Sequence, residues 1–264
     1  MVQLPWNLFS FEDPLFAIDD VAGEAAQFDQ MRQLWDANAR HNPLTSCDFF
    51  CGGFAEVFEQ NGERIAGFLH RRLELSTASR LLDLGGGIGR IARYLASRVD
   101  QYTLAEISPE MLAKARTHLR DLPVQPVLLE NSRLPWPEAS FSHCIAIDLV
   151  PHLPRPVLEA YFVEVARVLV PGGLFLLTTS VAPAPSARSD SQPGRQLLRL
   201  LGLKPIPIGA HTASVLAQLI EQDAPLHLHL QGNDFPNQLP MLPVQVPFAN
   251  CYLLFEKRSV DEAK

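Results

Sequence analysis

The stretch of sequence that decides the fold runs from Leu81 to Arg90 and reads LLDLGGGIGR. Its apolar first half, which contains the acid Asp83, predicts a buried strand. Four glycines follow at positions 85, 86, 87 and 89, where a backbone without β-carbons can turn tightly and let a ligand approach closely. A helix is expected to begin at Gly89, and the free amides of a helix start favour a carboxylate or a hydroxyl-rich ligand. The stretch therefore predicts a strand, a ligand-binding turn and a helix.

Outside this stretch, short apolar runs alternate with helical patterns. The predicted strands span 80–84, 101–107, 124–129, 141–148 and 173–180, and the predicted helices between them span 89–98, 109–119 and 155–169. Such alternation is typical of a Rossmann-like α/β fold with a doubly wound, mostly parallel sheet, which binds ligands beyond the carboxyl ends of its strands. Two further strands are predicted over 226–231 and 250–257.

The same pattern divides the chain into two regions. Residues 1–75 carry helical periodicity over 24–40 and 54–75, and we expect them to form an N-terminal helical cap. Residues 76–264 are expected to form the α/β domain. A flexible insert is predicted at about 181–211, because its first part is rich in Ala, Pro, Ser and Gly, and short helices are predicted over 196–203 and 212–221.

The bulk composition limits the partners. The chain has 264 residues, with 22 Lys and Arg against 29 Asp and Glu, so its formal net charge is −7. Because phosphate backbones are bound by clustered cations, an acidic chain without a basic stripe is not expected to bind nucleic acid. The start of the sequence lacks the pattern of a signal peptide, and no apolar run reaches the length of a membrane span. We therefore expect a cytoplasmic protein that binds no membrane, and no oligomeric state is predicted.

Four cysteines are too few for a disulfide scaffold in a chain of this length. Cys47 and Cys51 have the spacing C-x3-C, and no second pair shares it. The preferred interpretation is two buried small side chains, with a redox pair and part of a metal site as the alternatives. No metal cofactor is expected.

The glycine pattern distinguishes between two families of cofactor. The dinucleotide fingerprint G-x-G-x-x-G, begun at Gly85, requires a glycine at the position of Arg90. The pattern D-x-G-x-G-x-G fits instead, from Asp83 through Gly85 and Gly87 to Gly89. It resembles the first motif of the class I S-adenosylmethionine-dependent methyltransferases.

Glu106 ends the next predicted strand, and a carboxylate at that point can accept hydrogen bonds from both hydroxyls of a ribose. Proteins that bind nicotinamide dinucleotides share this geometry, so Glu106 predicts a nucleoside rather than one cofactor. A charge that stabilises the next helix start is the alternative. The run from Ala105 to Leu112, AEISPEML, is similar to the D-x-S-x-x-M-L pattern of the methyltransferases, with Glu in place of Asp.

Three later segments resemble the same superfamily. The segment 130–136, ENSRLPW, is similar to its D-A-x-x-L-P-F segment, in which an acid reaches the adenine amino group. The segment 167–173, RVLVPGG, is similar to its R-V-L-x-P-G-G turn, and 141–145 resembles its F-D-x-V strand with Ser142 in place of an Asp that we interpret as architectural. The resemblance covers about 78–180. It implies the cofactor S-adenosylmethionine, the product S-adenosylhomocysteine, an antiparallel C-terminal strand and an N-terminal cover over the acceptor. The cofactor-binding positions that it implies are Asp83, Gly85, Gly86, Gly87, Gly89, Glu106, Ile107, Glu130, Asn131, Ser132 and Asp148.

The reaction that the resemblance implies is an in-line displacement at an activated methyl group, for which the protein mainly aligns the attacking atom. A hydroxyl acceptor also needs a general base. His152, just beyond the fourth predicted strand, is the first candidate and Asp148 the second; a backbone-bonding histidine and a capping acid are the alternatives. Half of the 22 aromatic residues lie in the first 70 positions, which favours a small, fairly hydrophobic acceptor, although packing of the cap also explains them.

Three other functions stay open at this point. A non-catalytic accessory protein that binds S-adenosylmethionine would show the same motifs. So would a methyltransferase that acts on a protein rather than a small molecule. A nicotinamide-dependent oxidoreductase is disfavoured by Arg90.

Overall fold

The computed structural model describes residues 23–48, 51–179, 213–236 and 251–258. The predicted helix over 196–203 and the whole of the predicted insert at 181–211 lie outside these residues, as do the first 22 positions. Three helices precede the sheet: α1 (Glu24–His41), α2 (Pro43–Cys47) and α3 (Ala55–Arg72). Asn42 ends α1 and caps α2, since its side chain accepts from Thr45 N and proline occupies the first helical position.

The sheet contains seven strands. Five lie parallel to one another: β1 (Arg80–Leu84), β2 (Gln101–Glu106), β3 (Val124–Leu128), β4 (Phe141–Ala146) and β5 (Leu169–Thr179). The last two are β6 (Leu226–Gly232) and β7 (Cys251–Lys257), and β7 is antiparallel to both β5 and β6. The order is β3-β2-β1-β4-β5-β7-β6. The predicted Rossmann-like sheet, mostly parallel with an antiparallel C-terminal strand, is confirmed.

The connecting helices are α4 (Ala92–Leu95), α5 (Pro109–His118), α6 (Arg155–Val168) and α7 (Ala213–Asp223). Apolar side chains alternate between the two faces of the sheet, so Leu81 and Leu82 lie in different apolar clusters. One cluster receives α6 and α7, and the other receives α3, α4 and α5. Because strand order reverses between β1 and β4, the crevice at their carboxyl ends is the expected ligand site.

Several boundaries differ from the predicted ones, and α3, for example, ends at Arg72 rather than 75. The helix predicted over 89–98 is reduced to α4 and a 3₁₀ turn over Ala96–Arg98, because Gly89 has a φ of +89° that no α-helix accepts. Strand β4 ends at Ala146, two residues early, since Asp148 has a φ of +57°. Strand β5 begins at Leu169 rather than 173, and its pairing with β4 shifts register between Phe141 and His143.

Ser142 takes over the architectural task expected of an aspartate at its position. Its hydroxyl accepts from Arg80 N at 2.9 Å and lies 3.3 Å from Arg80 O, at the first residue of β1. His143 bonds the carbonyl of Leu73 at 3.0 Å, and burial lowers the pKa of its ring. These contacts join β4 to the start of β1 and to the end of α3.

Candidate active site

The glycine turn after β1 has the backbone that only glycine adopts readily. Gly85, Gly87 and Gly89 have φ values of +76°, +57° and +89°. The amides of Gly85 and Gly86 donate to the carbonyl of Ala105, at 2.8 and 3.2 Å. The turn is therefore tied to the end of β2, next to Glu106.

Glu106 is the centre of the candidate site. Its Oε2 accepts from Gly87 N at 3.0 Å, and its Oε1 accepts from Ile107 N at 2.8 Å and Ser108 N at 2.9 Å. The carboxyl is buried, and burial raises its pKa to about 6 although three amides favour the charged form. One carboxylate thus joins the glycine turn to the start of α5.

Asp83, the other acid of the turn, is also buried. Tyr102 Oη donates to its Oδ2 at 2.6 Å, and burial raises the pKa of Asp83 to about 6. A methyl group added at Gly86 would overlap both Asp83 and Leu104, so the turn lies directly on the two strands. The carboxyl group of Asp83 therefore packs against Gly86 of the turn.

The segment after β3 places its candidate residues beside β2. Leu129 N donates to Glu106 O at 2.8 Å, which brings the ends of β2 and β3 together. Glu130 and Asn131 are exposed, and Ser132 is buried. The start of the segment 130–132 therefore lies next to the end of β2, and Arg32 donates to the carbonyls of both Ile107 and Glu130.

The end of β4 closes the other side of the turn. Asp148 Oδ2 accepts from Arg90 Nη2 at 3.1 Å, and its Oδ1 lies 3.3 Å from Thr178 Oγ1. Next to it, Leu149 packs so closely on Gly85 that an added methyl group there would overlap it. Both carboxylate oxygens of Asp148 therefore have hydrogen-bond partners, one on Arg90 and one on Thr178.

His152 lies at the end of a 3₁₀ turn, Val150–His152, and meets the cap. Its ring centroid is 5.2 Å from that of Trp35 of α1, with the ring planes at 87°. Trp35, Leu149 and Leu153 are partly buried and pack against the apolar cluster that receives α6 and α7. Asp148 and His152, the two candidate bases, therefore lie on the same loop. The ring of His152 contacts α1.

Sequence reasoning missed the polar contacts that seat α1 on the strand ends. Arg32 donates to the carbonyls of Ile107, Leu129 and Glu130 at 3.2 to 3.3 Å. Asp36 accepts from Ser108 Oγ at 2.5 Å and from Glu110 N at 3.2 Å. A signal existed, since residues 32 and 36 share a helical face with the apolar residues 28, 31, 35 and 39. Polar groups on a buried face indicate specific partners.

A buried ion pair was also missed. Asp48, just after α2, lies 2.9 Å from Arg90, and both side chains are at most 5% exposed. Burial alone would lower the pKa of Arg90, but Asp48 and Asp148 carry it above its ordinary value. No sequence signal pairs residues 42 positions apart. In the sequence, Arg90 is informative only because the dinucleotide fingerprint requires a glycine at its position.

The cysteine pair agrees with the preferred interpretation. All four cysteines are free thiols, and burial raises the pKa of Cys47 to about 12 and that of Cys51 to about 11. Such pKa values oppose the thiolate that redox chemistry or a metal requires. Cys47 Sγ lies against Gly87, where an added methyl group would overlap it. Across the described ranges, three or more His, Cys, Asp or Glu side chains nowhere form a group able to hold a metal.

None of the described helices combines the length and apolar character needed to cross a bilayer.

Part of this chain is similar to known proteins. Residues 81–173 match the family model described as "Methyltransferase domain". The methyltransferase GfsG of Streptomyces halstedii is 32% identical over 117 residues, which are 42% of this chain and 41% of that protein. Sterol methyltransferase-like 1 of Botryococcus braunii is 25% identical over 187 residues, which are 68% of this chain and 44% of that protein. The matches thus span less than half of either relative.

A solved structure shares the fold over most of the chain. It is the Haemonchus contortus phosphoethanolamine N-methyltransferase 1 in complex with phosphoethanolamine and S-adenosylhomocysteine. The TM-score is 0.65 at 14% identity, over 90% of this chain and 50% of that one. The family model and these relatives show that residues 81–173 are similar to a methyltransferase domain, and the solved structure shares the fold.

Proposed function

We propose that this chain transfers a methyl group from S-adenosylmethionine to a small, fairly hydrophobic acceptor. The observation that carries the proposal is the left-handed glycine turn joined to a buried carboxylate, through Gly87 N and Glu106 Oε2 at 3.0 Å. A turn without β-carbons beside a hydroxyl acceptor suits an amino-acid tail linked to a ribose. The proposed location is the cytoplasm, with no metal required.

The residues present fit the proposed cofactor. Its activated methyl sulfonium supplies the chemistry, so the protein has to bind and align. Glu106 would accept from the ribose hydroxyls, the turn from Gly85 to Gly89 would face the amino-acid tail, and residues 107 and 130–132 would surround the adenine. Burial of the Glu106 carboxyl excludes water that would compete for these hydrogen bonds.

The acceptor side is argued from the surroundings of His152. The ring of Trp35 contacts His152, and the nearby residues Leu149 and Leu153 on the same loop are apolar, which favours an acceptor that is itself apolar around its reacting atom. One relative is named for sterol methylation, which supports the same class of acceptor. For a hydroxyl acceptor, His152 would take the proton, while Asp148 stays paired with Arg90.

The first experiment tests the cofactor. Isothermal titration calorimetry on the full chain compares S-adenosylmethionine, S-adenosylhomocysteine and NAD. We expect binding of the first two and none of NAD. Binding of NAD alone, or of no nucleoside, would overturn the proposal.

The second experiment tests the reaction and the acceptor. Tritiated methyl transfer is followed over matched panels of alcohols, amines and thiols, each with a short and a long apolar group, and with a peptide mixture. We expect turnover that rises with apolar size. Binding without turnover of any acceptor would identify an accessory protein, and turnover of peptides alone would identify a protein methyltransferase; either result rejects the small-molecule proposal.

His152 has its own test within that assay. His152→Ala is expected to lower kcat for a hydroxyl acceptor by about 100-fold or more and to remove the acid limb of its pH profile. His41→Ala, which removes an exposed histidine of α1, is the matched control and should leave kcat unchanged. An unchanged kcat for His152→Ala with an alcohol would exclude it as the base.

A further inference from the structure

A pair of charged residues on α6 holds the segment 130–136 by its backbone. Arg167 donates to Leu134 O at 2.9 Å and to Trp136 O at 2.7 Å. Glu164 accepts from Leu134 N at 2.8 Å. Both backbone groups of Leu134 are therefore bonded by this pair, in a segment without helix or strand. Buried backbone groups need such partners when no regular structure supplies them.

The two side chains also bond each other. Arg167 Nε donates to Glu164 Oε1 at 2.9 Å, and Nη2 donates to Oε2 at 2.7 Å. The contact lowers the pKa of Glu164 and raises that of Arg167, so both stay charged. A guanidinium that forms this two-pronged bond still has donors for two carbonyls, which an ammonium cannot match in geometry.

The segment that the pair holds begins with the residues proposed to meet adenine. Glu130, Asn131 and Ser132 lie two to four positions before Leu134 on the same segment. At the other end, Trp136 packs edge-on against Phe141 at 5.2 Å. Leu134 is itself 1% exposed, so it anchors the segment in the apolar core. The α6 pair therefore helps to place the exposed start of the segment, where Arg32 also donates to the carbonyl of Glu130.

We propose that Arg167 and Glu164 are positioning residues for recognition of the nucleoside base. They hold the segment 130–136 so that Glu130 can accept from an amino group on the purine. The inference rests on the proposed function, because it assumes that an adenine nucleoside binds here. Its consequence is selectivity for an amino group over a carbonyl oxygen at that ring position, set by residues that do not touch the base.

The test compares S-adenosylhomocysteine with S-inosylhomocysteine, in which a carbonyl oxygen replaces that amino group and the adjacent ring nitrogen N1 carries a hydrogen. We expect the wild-type chain to bind the adenine form about tenfold tighter, as one hydrogen bond and an unpaired group would give. In Arg167→Met the ratio of dissociation constants should approach one, through a loss of affinity for the adenine form. Arg167→Lys should give an intermediate ratio.

The matched control is Arg80→Met. Arg80 Nε donates to the carbonyl of Ser140 at 2.7 Å, a similar bond from the first residue of β1 to a loop carbonyl just before β4. Arg80→Met should leave the ratio of dissociation constants at its wild-type value, whatever its effect on stability. Glu164→Gln, which keeps an acceptor for Leu134 N, is the milder variant if Arg167→Met fails to fold, and should also lower the ratio.

Three outcomes would overturn the inference. An equal loss of affinity for both nucleosides in Arg167→Met and Glu164→Gln would assign the pair a purely structural role. A wild-type ratio near one would show that the segment does not read the amino group. Wild-type binding of neither nucleoside would reject the proposed function itself, and the inference with it, whereas the first two outcomes leave that function intact.

Discussion

Asp48 Oδ2 lies 2.9 Å from Arg90 Nη1, in an ion pair that joins the end of α2 to the residue after the glycine turn. Asp48 also accepts from Asn61 Nδ2 at 2.8 Å, and Arg90 continues to Asp148 at 3.1 Å. The cap and the end of β4 are thus connected through one buried guanidinium. Burial of such charges is tolerated only when each has its partner.

The first prediction concerns this pair. Asp48→Ala should lower the free energy of unfolding by about 3 kcal/mol, because it leaves Arg90 with a single carboxylate in a buried site. Urea unfolding at pH 7 measures the loss. The control Asp29→Ala removes an exposed partner of Arg32 and should cost less than about 0.5 kcal/mol. Equal unfolding midpoints for the two variants would contradict the prediction.

The second prediction concerns Tyr102 and Asp83. Tyr102→Phe removes the donor to a buried carboxyl whose pKa is already about 6, and should raise that pKa further. A folded-state pKa above the unfolded one means that stability falls as pH rises between the two. The extra loss in the variant should therefore appear above about pH 6 and reach about 1 to 3 kcal/mol.

Unfolding at pH 5 and pH 8 measures this difference. Tyr94→Phe is the control, because the hydroxyl of Tyr94 donates to Glu59, whose side chain is 34% exposed. Its effect should be small and similar at both values. A loss in Tyr102→Phe that does not depend on pH would show that Asp83 is not the group involved.

The third prediction concerns Glu106 and the proposed cofactor. The pKa of Glu106 is about 6, so below that pH the carboxyl is increasingly protonated and accepts hydroxyl hydrogen bonds less well. Affinity for S-adenosylhomocysteine should therefore fall between pH 7.5 and pH 5.5. Glu106→Gln should bind about tenfold or more weakly at pH 7.5 and show little dependence on pH.

Calorimetry at pH 5.5, 6.5 and 7.5 compares the two proteins. Glu110→Gln makes the same change on the exposed surface of α5, where Glu110 pairs with Arg40. It should behave as the wild type does. A pH dependence that survives in Glu106→Gln would have to come from another group.

The fourth prediction is a double-mutant cycle at the glycine turn. Gly87→Ala should lower the free energy of unfolding by about 2 kcal/mol, since a β-carbon is strained at its φ of +57° and overlaps Cys47 Sγ. Adding Cys47→Ala should recover about 1 kcal/mol of that loss by making space. Adding Cys51→Ala instead should recover none. Strict additivity with Cys47→Ala would mean that the two residues do not touch.

Much of the sheet was predictable because its signals are local. The run from Leu81 to Gly89 contains its own strand, acid and glycines, and each later strand shows as a short apolar run before a turn. The boundary at Gly89 was wrong for the same reason, since the pattern of apolar residues continues although a left-handed glycine delays the helix. The acids at 83 and 106 were placed by their position at strand ends.

The partners of these acids could not be read from the sequence. Tyr102 meets Asp83 because β1 and β2 pair with that register, and Asp48 meets Arg90 only once the cap has docked. Long-range pairs of this kind depend on packing rather than on spacing. The roles of the cap residues Arg32 and Asp36 became visible only with their carbonyl and amide partners.

The contact of Cys47 with Gly87 has a kinetic consequence. If the amino-acid tail of the nucleoside occupies the surface of the turn, Cys47 Sγ has to leave that surface first. Binding of the nucleoside would then begin with a unimolecular step in which Cys47 moves away from Gly87. The observed association rate in stopped-flow mixing would reach a plateau at high nucleoside concentration. The plateau would equal the opening rate, so a single cap residue would set how fast each catalytic cycle starts.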